Sequence, residues 1–494
     1  MSPAFAFSAL PLPASVDWLA LVAGLAARPG FWWLDSALAR APLGRFSFAG
    51  AEPFCALRIR GERIELETAR APWPLGAARG ARDVFAALRG LLPPRGAAPV
   101  SADAAAPPLP FVGGLVAALG YELGARVLRV PEARDAAALP FPDALALGVD
   151  RLYALDHQDG RAFAVALCGG ENACAAARAA RAAARELAAS APFAAWRAPR
   201  AVAGEPPDLR RGFDASAHAK AVDEILARIA AGDLYQACLT HRIEADFAGD
   251  AFAYYGALRA ANPAPFGAFL ALPEGAIACS SPECFLRCDA NGELETRPIK
   301  GTRPRCAEPR ADRAQAARLR ASEKDRAENL MIVDLARNDL GRVSELGSVH
   351  VPELFAVESY AAVHQLVSTV RGRLARGRDA LDAVRAAFPP GSMTGAPKIA
   401  AMRLLAELER ARRGLYAGAL GYLDARGGCD LAVVIRTAFL AGGRLAVHTG
   451  GGIVADSDAR AEWAEAESKA SALLAPLAGR GARISAERAS RVVA

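Results

Sequence analysis

The sequence lacks the cysteine and histidine spacings that mark zinc sites and redox motifs. Its nine cysteines are scattered without a Cys-x-x-Cys pair, and its six histidines complete no cluster with them. Cys284 and Cys288 come nearest to a motif, but no further ligand stands beside them. An odd number of cysteines without a framework is typical of reduced thiols in a cytosolic protein. We therefore expect a cytoplasmic location.

Long apolar runs and basic tracts are also missing. No uncharged apolar stretch reaches the roughly 18 residues that a membrane span needs. Residues 1–21 contain three prolines and Asp17 without preceding basic residues, which argues against a signal peptide. The net charge is only +6 over 494 residues, and no basic run carries regularly spaced aromatic residues. We therefore expect neither a membrane nor a nucleic acid as a partner.

What the sequence does contain favours an α+β protein with two regions. The length exceeds that of a usual single domain. Residues 191–211 carry four prolines and little periodicity, so they are the predicted linker. Strand patterns occur in groups instead of alternating with helices, which argues against a doubly wound sheet. We predict an N-terminal region at 1–200, a catalytic region at 212–475 and a tail at 476–494.

Apolar spacing also predicts individual elements in the second region. One long helix is expected from about residue 311 to 336. A single strand is expected at 431–439, and a closing helix at 459–474. These elements carry several of the candidate functional residues.

Lys300 lies in the stretch Pro-Ile-Lys-Gly-Thr-Arg-Pro at 298–304. Two prolines and a glycine predict a short exposed bend that restricts this lysine. A partly desolvated lysine can lose its proton near neutral pH and act as a nucleophile or base. A solvated lysine in a turn is the alternative interpretation.

Two pairs of acidic residues have helical spacing. Asp325 and Glu328 lie three residues apart, and Glu462 and Glu465 repeat that spacing, with Lys469 one turn further along. Together the pairs could form an oxygen-rich cage that suits a hard cation such as Mg²⁺. Each pair taken alone is more often a solvated helix face.

Two glycine-rich turns could approach a ligand. The stretch at 391–398, which includes Thr394 and Gly395, leads into a helix whose N–H groups suit an anion, although it lacks the Walker order. The stretch at 448–452 follows a strand and includes Gly450 and Gly452. A capped helix and a plain loop are the alternatives.

Single polar residues in apolar surroundings are the remaining candidates. Arg436 follows Val-Val-Ile and needs an anionic partner, for which an internal acid is slightly favoured over a bound carboxylate. His364 lies between apolar residues and is more often a hydrogen-bonded core residue. Glu283 ends a strand-like segment, where catalytic acids occur but solvated glutamates are commoner.

Residues 215–475 closely resemble the chorismate-binding enzymes, the family of the anthranilate, aminodeoxychorismate, isochorismate and salicylate synthases. The resemblance implies an anthranilate synthase component I-like fold, with two β-sheets packed face to face and helices outside. The matching stretches are Ser281-Pro282-Glu283 and residues 298–305, 327–339, 391–398, 435–438 and 450–469, with looser matches at 34–37 and 111–114.

Lys300 distinguishes branches of this family. Anthranilate and isochorismate synthases typically have alanine at this position, whereas the aminodeoxychorismate synthases have lysine. The resemblance therefore implies amination of chorismate at C4, giving 4-amino-4-deoxychorismate for p-aminobenzoate and folate synthesis. The alternative is the anthranilate synthase component I reaction for tryptophan synthesis, in which Lys300 would be a bystander.

The resemblance also implies a Mg²⁺ site. Glu328 and Glu465 resemble direct ligands, and Asp325 and Glu462 resemble neighbours that act through water. The metal would bind the ring carboxylate of chorismate. Asp325 departs from several relatives, which have glutamate there, but a shorter chain still suits an outer role.

Further roles follow from the matching positions. Glu283 corresponds to the acid that protonates the departing C4 hydroxyl, and Lys300 would attack C2. The remaining positions resemble substrate-binding residues. They are Arg436, Tyr416, Gly450 and Gly452 around the enolpyruvyl carboxylate, Thr394 and Gly395 in the pocket wall, Lys469 facing a carboxylate, and His364 near the ring.

The expected nitrogen source is ammonia from a separate glutamine amidotransferase subunit, since no residues resemble such a domain. The 20 or so residues after Leu474 are too few for a lyase domain. A pyridoxal phosphate enzyme with Lys300 as Schiff-base lysine and a non-catalytic regulatory subunit are the interpretations from other classes. Neither gives the four carboxylates a role.

Overall fold

The computed structural model describes most of the chain, and no helix in the part it describes is long and apolar enough to cross a membrane. The larger part of the predicted linker and all but two residues of the predicted tail lie outside the described residues. The residues not described are 1–3, 39–42, 74, 76, 77, 79, 80, 82, 95, 96, 105, 134–137, 197–207, 361, 362, 410 and 478–494.

Two large sheets account for the strands of the described residues. The first has thirteen strands, numbered in chain order and here given in spatial order. They are β11 (Arg210–Arg211), β12 (Gln236–Asp246), β24 (Arg444–Ile453), β23 (Thr437–Ala441), β14 (Gly275–Ser281), β13 (Phe266–Leu272), β2 (Trp32–Asp35), β3 (Phe46–Gly50), β9 (Arg151–Asp156), β10 (Arg161–Gly170), β1 (Ala4–Pro11) and β6 (Val100–Ser101), with β20 (Gly395–Ala396) paired to β12.

The second sheet has eleven strands in the described part of the chain. In spatial order they are β17 (Ile299–Pro304), β19 (Val363–Arg373), β16 (Glu293–Thr296), β15 (Cys284–Cys288), β22 (Cys429–Val433), β21 (Ala419–Asp424), β7 (Gly114–Leu119), β8 (Ala144–Val149), β4 (Cys55–Arg60) and β5 (Arg63–Thr68), with β18 (His350–Ser359) paired to β19.

Each sheet joins strands from before and after residue 200. In the first sheet β2 pairs with β13, so that Trp33 lies opposite Phe269. In the second sheet β7 pairs with β21, so that Ala117 lies opposite Gly421. Strands β7 and β8 are buried along their whole length, which explains their continuous apolar sequences. The two regions of the sequence therefore share both sheets.

The sheets pack on one another through a common apolar core, as the predicted α+β fold requires. Phe48 of the first sheet contacts Tyr422 of the second, with ring centroids 5.7 Å apart. The helices of the described residues are α1 (Trp18–Ala26), α2 (Val84–Leu91), α3 (Tyr121–Leu128), α4 (Ala173–Ala189), α5 (Ala215–Ala230), α6 (Ala251–Ala261), α7 (Pro309–Ala321), α8 (Glu323–Gly341), α9 (Ala380–Ala387), α10 (Lys398–Leu408) and α11 (Ala459–Leu474).

Two element predictions are wrong, and both errors bear on the site. The long helix expected near 311–336 is divided into α7 and α8 at Ser322, which has extended backbone angles and caps α8 through the N–H of Asp325. The strand expected at 431–439 is divided into β22 and β23, which belong to different sheets. Between them Arg436 has a left-handed backbone, with φ of 51°.

Candidate active site

A cavity of about 570 Å³ contains most of the residues that the sequence indicates. Strands of both sheets and the helices α8 and α11 form its wall. The predicted residues that line it are Glu283, Lys300, Asp325, Glu328, Tyr416, Arg436, Gly450, Gly452, Glu462, Glu465 and Lys469.

A second cavity, of about 620 Å³, lies elsewhere between the sheets. Arg287 in its wall is paired with Asp430, and Arg426 is paired with Asp424, each at 2.7 Å. None of the eleven residues above lines it. The smaller cavity is therefore the candidate active site.

Lys300 reaches the cavity from a β-bulge instead of a free turn. The pairing of β17 with β19 shifts between Ile299 and Thr302, and Gly301 has φ of 84°. The Lys300 ammonium lies 3.0 Å from the point where a Cβ on Gly452 would stand. The Gln236 amide lies nearer still, at 2.5 Å, so a side chain at Gly452 would collide with Gln236 and press on Lys300.

Glu283 is buried beside Lys300, with 5% of its surface exposed. Burial raises the pKa of Glu283 to about 7. A hydrogen bond from the Ser392 side chain, the charge of Lys300 and a hydrogen bond from the Ile299 backbone offset part of this shift. The carboxyl group is therefore protonated in a large fraction of molecules at neutral pH and can serve as an acid.

The two acid pairs face the cavity from α8 and α11, and basic side chains neutralise them. Lys324 lies 4.0 Å from Glu328 and 3.5 Å from Glu462. Burial raises the pKa of Glu328. The charges of Lys300 and Lys324 lower this pKa, and the charges of Glu462 and Asp325 raise it again. Lys324 therefore bridges the two helices.

One acid of each pair has a basic partner of its own. Arg303 donates to Asp325 at 2.8 Å, and Lys469 pairs with Glu465 at 2.7 Å. Lys469 is also the main cause of the lowered pKa of Glu465. Within the described residues no three acidic, histidine or cysteine side chains converge as a ready metal site.

Arg436 is a predicted cation of the cavity wall that no described acid pairs with. The chain crosses from the second sheet to the first at this residue, which turns its side chain into the cavity. No hydrogen bond or ion pair of its guanidinium is found in the described part of the chain, so the slightly favoured internal salt bridge is absent. Burial lowers the pKa of Arg436, and Tyr416 and Glu465 offset only part of this shift. A bound anion would satisfy this group.

Close backbone packing forms the wall opposite Lys300. A Cβ on Gly450 would stand 2.0 Å from the carbonyl oxygen of Leu239, so only glycine allows β24 to lie this near β12. The Gly450 carbonyl accepts a hydrogen bond from Lys469 at 2.9 Å. Tyr416 adds a buried ring to the same wall.

Three predicted residues do not line the cavity. Thr394 is fully buried, and its hydroxyl donates to the Gly391 carbonyl at 3.1 Å. Gly395 lies in β20, where a Cβ would stand 2.2 Å from the carbonyl oxygen of Gln236. His364 is held by Asp312 at 3.0 Å and Ser359 at 2.8 Å. The two turn residues shape the chain behind the cavity, and His364 is tied to α7.

A buried ion pair behind the wall has no counterpart in the sequence-based predictions. Arg413, which is 1% exposed, donates to both carboxylate oxygens of Glu409 at 2.7 and 2.8 Å. It also donates to the carbonyls of Met393 at 2.5 Å and Cys238 at 2.7 Å. Glu409 in turn accepts from the backbone and hydroxyl of Thr240, each at 2.9 Å. These contacts fix β12 and the turn at Met393, two segments of the cavity wall that are remote in sequence.

Sequence reasoning also missed Lys324, Ser392 and His448 as members of the cavity wall. A signal for Lys324 was available, because the chain has only five lysines and three of them line this cavity. His448 precedes a glycine run on an apolar strand, which is a weaker signal.

The family model for chorismate binding enzymes matches residues 75–475. The chain belongs to the chorismate binding enzyme family. It is 38% identical to aminodeoxychorismate synthase component 1 of Escherichia coli strain K12 over 446 residues, which cover 90% of this chain and 92% of that protein. The crystal structure of anthranilate synthase component I from Streptococcus pneumoniae TIGR4 matches with a TM-score of 0.70 and 30% identity, covering 88% of this chain and 93% of that one.

Some relatives are longer than this chain. Aminodeoxychorismate synthase of Streptomyces griseus is 47% identical over 371 residues, which cover 74% of this chain but 50% of that protein. The chain thus spans about half the length of that relative.

Arg436→Met and Arg413→Met should have opposite effects on stability. Replacing Arg436 removes a buried charge without an acid partner, so we expect the free energy of unfolding of the ligand-free protein to be unchanged or higher. Replacing Arg413 leaves Glu409 buried and unpaired, which should cost about 3–5 kcal/mol. Denaturant unfolding of both variants measures the difference. Equal losses would mean that Arg436 has an internal partner.

Proposed function

We propose that this chain aminates chorismate at C4 to give 4-amino-4-deoxychorismate, the reaction of an aminodeoxychorismate synthase component I in p-aminobenzoate and folate synthesis. The placement of Lys300 carries the proposal. Its amine enters a cavity that also contains a buried acid, Glu283, and an unpaired guanidinium, Arg436. The similarity to the E. coli component 1 along 92% of that protein supports the same reaction.

Lys300 and Glu283 supply the chemistry in this proposal. The unprotonated form of the Lys300 amine forms a bond to C2, the two conjugated ring double bonds each shift by one position, and the C4–O bond breaks. Glu283 gives its proton to the departing oxygen, which leaves as water. Ammonia then adds at C4, both double bonds shift back, and the bond from Lys300 to C2 breaks. The new ammonium group at C4 returns one proton to the Glu283 carboxylate. The charge of Lys300 offsets part of the burial effect on the pKa of Glu283, and both groups line the same cavity.

The two carboxylates of chorismate are assigned to opposite ends of the cavity. Arg436 would bind the enolpyruvyl carboxylate, because it is buried in the wall and lacks an acid partner among the described residues. Tyr416 and the backbone at Gly450 and Gly452 form the surrounding wall. Lys469 would stay with Glu465 and the Gly450 carbonyl and hold α11 against β24.

The acid pairs fit Mg²⁺ by their donor chemistry. Four carboxylates from two helices face one cavity, and such oxygen donors suit a hard cation. Glu328 and Glu465 would hold the ion, with Asp325 and Glu462 outside them. When bound, the ion would neutralise the ring carboxylate of the substrate. Lys324 would have to leave the space between Glu328 and Glu462.

We propose that ammonia comes from a separate glutamine amidotransferase subunit. The relatives from E. coli and Salmonella typhimurium carry the designation component 1, which supports a partner subunit. The likeness to an anthranilate synthase component I supports the alternative product, anthranilate. Lys300 favours amination at C4, because the alternative gives this amine no role.

Product analysis with wild type and Lys300→Ala tests the assignment. Purified protein is incubated with chorismate, Mg²⁺ and ammonium, and a lyase is added to convert any 4-amino-4-deoxychorismate to p-aminobenzoate. We expect p-aminobenzoate from wild type and none from Lys300→Ala, because the covalent step is lost. Titration calorimetry should show that the variant still binds chorismate.

Lys220→Ala is the matched control, because Lys220 is exposed on α5 and does not line the cavity. It should keep the wild-type rate. Anthranilate as the main wild-type product would contradict the proposed function. A full amination rate in Lys300→Ala would contradict only the role of the lysine.

The pH dependence of kcat/KM should report Glu283. The acid must be protonated, so activity should fall as pH rises through about 7, the pKa to which burial raises this group. Ser392→Ala removes a hydrogen bond that favours the carboxylate form of Glu283, so the pKa of Glu283 should rise. The decline of kcat/KM should then occur at higher pH. Glu283→Gln should lose roughly 10²–10⁴-fold in rate. A decline at the same pH in Ser392→Ala would argue against this assignment.

Magnesium binding can be measured without turnover. Titration calorimetry with Mg²⁺ alone should give tighter binding for Lys324→Gln than for wild type, because the competing ammonium is gone. Glu465→Gln should bind more weakly than wild type. Glu467→Gln, on the same helix but outside the cavity wall, is the control and should match wild type. Equal binding by all four proteins would exclude this site.

A further inference from the structure

His448 is a buried side chain in the cavity wall that the proposed mechanism does not use. It lies on β24, is 4% exposed and faces the same cavity as Arg436. Its ring stacks on Tyr416, with centroids 4.8 Å apart and planes at 20°. Its Nε2 atom is buried without a hydrogen-bond partner in the described part of the chain.

The imidazole of His448 is neutral at physiological pH. Burial lowers its pKa well below the usual value, and the positive charges of Arg242 and Arg413 and the neighbouring His241 act in the same direction. A neutral imidazole keeps one N–H donor and one acceptor nitrogen. It can therefore hydrogen-bond a carboxylate without adding a second full charge.

The position of His448 connects it to the anion-binding end of the cavity. Tyr416, on which it stacks, lines the same cavity as Arg436, and it offsets part of the burial effect that lowers the pKa of Arg436. Tyr416 therefore lies beside both groups. The enclosed Nε2 cannot reach a ligand, but the other ring nitrogen, Nδ1, is not enclosed in this way and makes no hydrogen bond within the described residues, so it can bond a ligand atom in the cavity.

We propose that His448 is a further substrate-binding residue, which donates a ring N–H to the carboxylate that Arg436 binds. The inference rests on the proposed function, because it takes chorismate as the ligand. It adds to that function a neutral group that fixes the orientation of the carboxylate relative to Tyr416.

His241 is a matched comparison within the same sheet. It is also buried, and both of its ring nitrogens lack partners among the described residues. Its ring stacks on Trp463, with centroids 5.3 Å apart, but it does not line the cavity. A purely structural histidine should therefore behave like His241, and a ligand-binding one should not.

Chorismate affinity in His448→Phe, His448→Gln and His241→Phe tests the inference. Phenylalanine keeps the stacked ring and removes the donor, so His448→Phe should weaken binding by about tenfold or more. KM should rise with kcat little changed. His448→Gln keeps a donor and should bind within a few fold of wild type. His241→Phe should bind as wild type does.

Equal chorismate affinity in His448→Phe and wild type would overturn the inference, and so would an equal loss in His241→Phe. A readout on the wild-type protein does not depend on how the variants fold. The ¹⁵N signals of the His448 ring, identified by their loss in His448→Gln, should shift on addition of chorismate; unshifted signals would also overturn it. Failure of wild type to bind chorismate would instead overturn the proposed function.

Discussion

The buried pair of Arg413 and Glu409 is the interaction on which the cavity depends. A fully desolvated ion pair contributes little net stability by itself, since the cost of removing both charges from water offsets their attraction. Its effect here is geometric. One guanidinium and one carboxylate hold the carbonyls of Met393 and Cys238 and the backbone of Thr240, which belong to remote parts of the chain. Tyr416, three residues beyond Arg413, donates its backbone N–H to the Arg413 carbonyl at 3.1 Å and so takes its place in the wall.

Charge is distributed unevenly within the cavity. Its acids are accompanied by basic groups, with Lys324 between Glu328 and Glu462 and Lys469 against Glu465. Arg436 has no such companion in the described part of the chain. An anionic ligand can therefore bind the Arg436 guanidinium without breaking an existing ion pair. Elsewhere in the cavity, the ammonium groups of Lys324 and Lys469 are already paired with acids. This asymmetry favours one orientation of an anionic ligand in the cavity.

Much of the site could be predicted from sequence because its residues lie in short local patterns. Lys300 stands in a proline-bounded stretch and the four acids repeat one helical spacing, so all five were found. The break at Ser322 was missed because one capping residue interrupts an apolar period that continues on both sides. The change of sheet at Arg436 was missed because its two strands are both apolar, and pairing partners are not local. His448 gained meaning only from the Tyr416 ring stacked on it, which comes from a turn before β21.

The sharing of both sheets between the two ends of the chain has a consequence during synthesis. Strands β2 and β7 leave the ribosome long before β13 and β21, the neighbours that complete their sheets. Pairing of strands that are remote in sequence loses loop-closure entropy before stabilising contacts form, so this step is slow. Until it occurs, unpaired strand edges remain open to other chains. The yield of folded protein in a cell should therefore depend on translation rate and chaperone supply more than on the stability of the finished fold.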